Sequence, residues 1–86
     1  MNLPEIDKTA TGENLKRLMR KNKVSVFDIQ YALKVNSPSS IYAWTQGRIL
    51  PSADNLVKLA AILHCTMDEI IVKEDKDNVW QDRLNA

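Results

Sequence analysis

With 86 residues, the chain is long enough for one small domain and too short for two, and a domain of this size buries somewhere above ~60% of its unfolded surface around one modest core. Its hydrophobic fraction of 44% is ordinary for a globular protein, and the lack of any run of ~18 apolar residues excludes a membrane-spanning helix. The formal net charge of +1 hides an asymmetry: residues 1–50 hold eight Lys and Arg against four Asp and Glu, a net +4, while residues 51–86 hold four against seven, a net −3.

Residues 1–8 show no helical period and contain Pro4, so they read as an extended arm, with Leu3 and Ile6 either docked on the domain or disordered. Thr9 or Thr11 is suited to cap a first helix, Glu13 falls in its opening turn, and Leu15, Leu18 and Met19 form its apolar stripe. Arg20, Lys21 and Lys23 supply the cations that a helix C-terminus favours. This helix reads as scaffold. Lys16, Arg17, Arg20 and Lys21 are either a solvated face or one edge of a surface for a polyanion.

Ser25 with Asp28 three residues on makes a capping-box opening, and Val26, Ile29 and Leu33 recur on one face of a helix of about two turns. The pattern breaks at Lys34-Val35-Asn36. Ser37 then offers an N-cap and Pro38 a first helical residue whose missing N–H costs nothing, which predicts a second helix over Pro38 to Gln46. Ile41 and Trp44 fall on its inward side, leaving Ser39, Ser40, Tyr42, Ala43 and Gln46 for the other face. Gly47 suits the left-handed residue that closes it.

The connection Arg48-Ile49-Leu50-Pro51 is too short for a linker; Pro51 stops the preceding helix and Ser52 caps the next, whose Leu56, Leu59, Ala60 and Leu63 share a face ending near His64. Thr66 and Glu69 form a second capping box, opening a brief helix with Ile70 and Ile71. The polar run from Lys73 to Asn78 marks the domain edge, so the expected division is an arm over 1–8, a domain over 9–73 and a polar tail over 74–86. In that tail Trp80 and Leu84 lie four apart, enough for one sticky helical turn that packs back, frays or meets a partner.

The spacing of Ile29, Leu33, Val35, Ile41, Trp44 and Gly47, followed by Arg48, Pro51 and the Leu56-Leu59-Ala60-Leu63 helix, resembles the phage-repressor and Cro type of helix-turn-helix domain, also called XRE-type. The resemblance runs from about Thr11 to Val72. It implies an all-α, compact, five-helix, lambda-repressor-like fold whose third helix enters the major groove of double-stranded DNA. The chain departs from the family pattern twice: Val35 to Ile41 is one residue longer than the usual turn, and Val26 stands where many relatives carry a phosphate-binding glutamine.

A helix over Pro38 to Gln46 is about 13 Å long at roughly 1.5 Å per residue, and the B-form major groove is about 12 Å wide, so the helix can enter it end-first. Ser37, Ser39 and Ser40 then lie where phosphates and base edges are met, with Ser37 equally suited to a purely capping role. Tyr42 offers an aromatic face and a hydroxyl for reading bases, or is a half-buried surface aromatic against Leu33 or Tyr31. Ala43 allows close approach to a base. Gln46 and Arg48 straddle the helix end, where the resemblance places phosphate contacts, and the forked guanidinium of Arg48 suits that task.

Catalysis finds little support in the residues. His64 and Cys65 are adjacent, with no further His or Cys to complete a zinc site or a Cys-His pair, and Gly12 and Gly47 are too far apart in sequence for a phosphate loop. No cofactor is expected. The lone Cys65 and the absence of an apolar leader in the first ten residues make a cytosolic protein the expectation. The sequence therefore predicts a DNA-binding transcription regulator, a repressor acting by operator occupancy and working as a homodimer. The alternative is a protein-interaction module on the same fold, such as an antitoxin or regulatory subunit, using Phe27, Tyr31 and Tyr42 as an apolar patch.

Overall fold

A computed structural model describes residues 3–74. Among these residues the order is β1 (Glu5–Ile6), α1 (Lys8–Asn22), α2 (Val26–Leu33), α3 (Ser39–Thr45), α4 (Ala53–Ile62), α5 (Met67–Ile70) and β2 (Lys73–Glu74). The expected all-α, five-helix architecture is thus present, with a two-residue ribbon added to it. No helix among the described residues is long and apolar enough to cross a membrane. The expected Trp80–Leu84 turn lies outside the described residues.

Local signals set most helix starts. Ser25 and Asp28 close their capping box in both directions, the Ser25 Oγ accepting from Asp28 N at 3.0 Å and the Asp28 carboxylate accepting from Ser25 N at 2.8 Å. Thr66 and Glu69 do the same for α5, and Ser52 accepts from Asn55 N to open α4. Four connections then turn through the left-handed region, at Lys23 (φ 56°), Lys34 (φ 58°), Gly47 (φ 73°) and His64 (φ 54°).

The start of α1 differs from expectation. Asp7 is its N-cap, accepting from Ala10 N at 2.9 Å, so neither Thr9 nor Thr11 holds that place. A carboxylate is favoured at the positive end of the helix dipole, and here it lengthens the helix by most of a turn. Thr11 is instead drawn inside, 2% exposed, where its hydroxyl accepts from Val72 N at 3.0 Å. Residues 5–6 are extended, as their lack of period suggests, and pair antiparallel with 73–74 in the register Glu5 to Glu74 and Ile6 to Lys73. Asp7 N continues the pairing by donating to Val72 O at 2.8 Å. Leu3 and Ile6 stay largely exposed.

The core gathers Leu15, Leu18 and Met19 from α1, Ile29 from α2, Ile41 and Trp44 from α3, Leu59 and Ala60 from α4, then Leu63 and Ile70. Each large side chain removed from water here contributes about 1.5–3 kcal/mol. Trp44 is therefore a core residue, as its shared face with Ile41 predicts. Helix α1 crosses the last turn of α3 so closely that a Cβ at Gly12 would lie 2.7 Å from both the Trp44 and Thr45 carbonyl oxygens. Two residues on, Asn14 fastens α5, its Nδ2 donating to Glu69 O at 2.7 Å and Ile70 O at 2.9 Å. Helices α3 and α5 are thus both positioned by α1.

Candidate nucleic-acid interface

Helix α3 is shorter at both ends than the expected Pro38–Gln46 segment. Pro38 occupies the N-cap place with φ −80° and ψ 2° and makes no side-chain cap, while Ser37 lies one residue further out. Ser37 Oγ accepts from Ser39 N at 3.2 Å and lies 2.7 Å from Ser39 Oγ, a local turn that reaches over the proline to the first helical residue. Ser37 supports the start of α3 without being its N-cap. Ser37, Ser39 and Ser40 are all exposed.

Of the remaining predicted site residues, Tyr42 and Gln46 are exposed, Arg48 also reaches solvent, and Ala43 does not. Ala43 is 9% exposed because the chain beyond Gly47 folds back over it, with Arg48 N donating to Ala43 O at 3.0 Å. One-face arithmetic places it outward, whereas in the fold it is buried. Thr45 is also buried, its Oγ1 donating to Tyr42 O at 3.1 Å.

Tyr42 faces α1. It lines a groove of about 390 Å³ together with Lys16, Met19, Arg20, Val24, Val26, Thr45 and Gln46. Neither Leu33 nor Tyr31 lines that groove. Tyr31 is 87% exposed and lies with Phe27, Gln30, Lys34, Val35 and Asn36 around a second groove of about 500 Å³. The three aromatics named for a protein-binding patch are therefore divided between two grooves.

The cations of α1 are divided as well. Lys16 and Arg20, four residues apart on one stripe, border the α3 groove, whereas Arg17 and Lys21 line a different cleft with His64, Cys65 and Glu69. Arg17 is engaged by Asn14 Oδ1, at 3.1 Å from Nε and 2.9 Å from Nη2. Among the described residues neither Arg20 nor Arg48 has a carboxylate partner within salt-bridge distance, while Lys16 lies 3.2 Å from Glu13. In the opposite cleft, burial pushes the Cys65 thiol up, with Glu69 adding to the effect and Lys21 opposing it, so the thiolate form is disfavoured.

The arrangement offers exposed hydrogen-bonding side chains on one side of a short helix, with Lys16 and Arg20 of α1 beside Tyr42 and Gln46 and with Arg48 following the helix end, a surface suited to a polyanion with readable edges. The sequence offers Lys16, Arg17, Arg20 and Lys21 together as either a solvated face or one edge of a polyanion surface, without separating the pairs. Their i, i+4 spacing was visible, but not which stripe of α1 turns toward α3. Neither the curated proteins nor the solved structures gave a match to this chain. A family model described as helix-turn-helix matches residues 15–70, which takes in α2 and α3 with most of the helices around them. The chain belongs to the XRE-type helix-turn-helix family of DNA-binding transcription regulators.

Proposed function

We propose that the protein binds double-stranded DNA sequence-specifically with α3 in the major groove, as a homodimer, and represses transcription by occupying an operator. One observation carries the reading: Ser39, Ser40, Tyr42, Gln46 and Arg48 are exposed, and Lys16 and Arg20 line the groove that Tyr42 and Gln46 share. In this reading Gln46 and Arg48 grip phosphate, Tyr42 meets base edges, and Ser37, Ser39 and Ser40 meet phosphates and bases at the helix start. Two copies on adjacent half-sites multiply the few base pairs that one short helix reaches. Polymerase is excluded by occupancy, without chemistry. A cytosolic site of action accords with the DNA target and with an unpaired Cys65.

Selection of bound duplexes from a random pool, with the oligomeric mass measured alongside, tests the proposal. A two-fold symmetric consensus and a dimeric mass support it; recovery of unenriched sequence overturns it. Phe27, 66% exposed beside Tyr31 and Val35, favours a second reading in which the partner is a protein. Salt separates the two, since several phosphate contacts lose roughly tenfold or more in affinity between low and moderate salt and an apolar interface does not.

A further inference from the structure

Helix α1 reads from sequence as scaffold, yet two of its side chains border the groove that Tyr42 and Gln46 line. Resting on the DNA-binding reading above, we propose that Lys16 and Arg20 form a second phosphate clamp, so that α1 holds the sugar-phosphate backbone flanking the groove that α3 enters.

Four observations combine. Met19, Val24 and Val26 give the groove an apolar lining beside Lys16, which is half-buried, and Arg20, which is exposed; long basic side chains on such a surface cover apolar area with their stems and keep their charged heads in water. Val26, the first residue of α2, brings no side-chain donor to that floor, which leaves α1 to supply the cations on this side of α3. Arg20 has no carboxylate partner among the described residues, and its planar fork matches two phosphate oxygens. Lys16 is held only by Glu13 at 3.2 Å, with side chains 40% and 66% exposed, an i, i+3 surface pair that contributes little and yields to a phosphate. Arg48 follows the C-terminal end of α3, the end whose Tyr42, Thr45 and Gln46 line the groove with Lys16 and Arg20.

The chain contains its own control. Arg17 and Lys21 alternate with Lys16 and Arg20 on the same helix but face the cleft of His64, Cys65 and Glu69. The experiment measures affinity for a selected duplex across a salt series with the full chain. The double variant Lys16→Ala/Arg20→Ala is expected to weaken binding by tenfold or more at low salt, and to reduce the slope of log K against log salt by about two. Its preferred sequence should not change, because a phosphate grip positions without reading. Arg17→Ala/Lys21→Ala, which removes the same charge, should leave the slope nearly unaltered, and Lys16→Arg/Arg20→Lys should retain it.

Equal losses in both alanine pairs would mean that bulk charge alone matters, and an unaltered slope in Lys16→Ala/Arg20→Ala would mean that α1 does not touch the backbone; either result overturns the clamp while leaving the DNA-binding reading intact. Failure of the unsubstituted protein to bind any duplex overturns both. The alanine pairs replace exposed or half-exposed side chains on a helix that favours alanine, so circular dichroism melting should report folded protein throughout.

Discussion

Gly12 and Gly47, the two glycines of the chain, meet: a Cβ placed on Gly12 would stand 3.0 Å from the Gly47 backbone nitrogen. Gly47 in turn would place its own Cβ 2.7 Å from Thr9 Cα, so each leaves room for the segment that carries the other. Their contact fixes how α3 sits on α1.

Gly12→Ala is expected to destabilise by about 2 kcal/mol or more, since the obstructing atoms are backbone carbonyls that cannot rotate aside. Gly47→Ala adds left-handed strain to its clash, at φ 73°, and should cost a similar amount. Urea unfolding midpoints measure both. Because α3 is displaced in either variant, DNA affinity should fall more than the loss of folded protein explains.

Arg48→Ala should weaken binding to all duplexes about equally and lower the salt slope by about one. Tyr42→Ala should change the order of preference among duplexes while leaving that slope in place. Titration of a panel of related duplexes at fixed salt, repeated at a second salt concentration, distinguishes them. An Arg48 variant with wild-type affinity would remove that residue from the interface.

The fold was most legible where its determinants are close in sequence. Ser25 with Asp28 and Thr66 with Glu69 are pairs three apart, so their capping boxes could be read without knowing what lies around them. Thr11 could not be read that way: its partner Val72 is 61 residues on, and that distant backbone takes the hydroxyl that the sequence assigned to a cap. The burial of Ala43 was illegible for a related reason: a regular helix presents it outward, whereas in the fold it is 9% exposed, with Arg48 and Ile49 returning to its carbonyl. In the candidate site, the exposure of Tyr42 and Gln46 followed from helix phase and Arg48 was named from the family resemblance, whereas the side that Lys16 and Arg20 take depended on the packing of α1 against α3.

Asn14→Ala should remove the donors that hold the Glu69 and Ile70 carbonyls and cost about 1–2 kcal/mol. The loss should appear first in hydrogen exchange at Asp7 and Val72, whose amides are protected by the pairing next to α5. An Asn14 variant with unaltered exchange at those two amides would show that α5 is held without it.

Asp28 carries a pH dependence. Its carboxylate accepts from the backbone N–H and then the hydroxyl of Ser25, which holds the carboxyl below its usual range. The unfolded chain therefore takes up this proton more readily than the folded one, so the stabilisation is complete above the ordinary carboxylate range and fades as acid passes through the lowered value. Unfolding midpoints of Asp28→Asn and wild type should differ near neutrality and converge in strong acid, and the Asp28 carboxyl should titrate low by NMR.

The pairing of Glu5 with Glu74 brings the two ends of the described chain to one corner of the domain, outside the Thr11–Val72 bonds and the core beyond them. Tension drawn across those two exits pulls at right angles to the strands, along the ladder bonds themselves, so the bonds break in succession as a zipper opens. Under such tension the ribbon is expected to open before the five helices, because its ladder bonds lie outside the core.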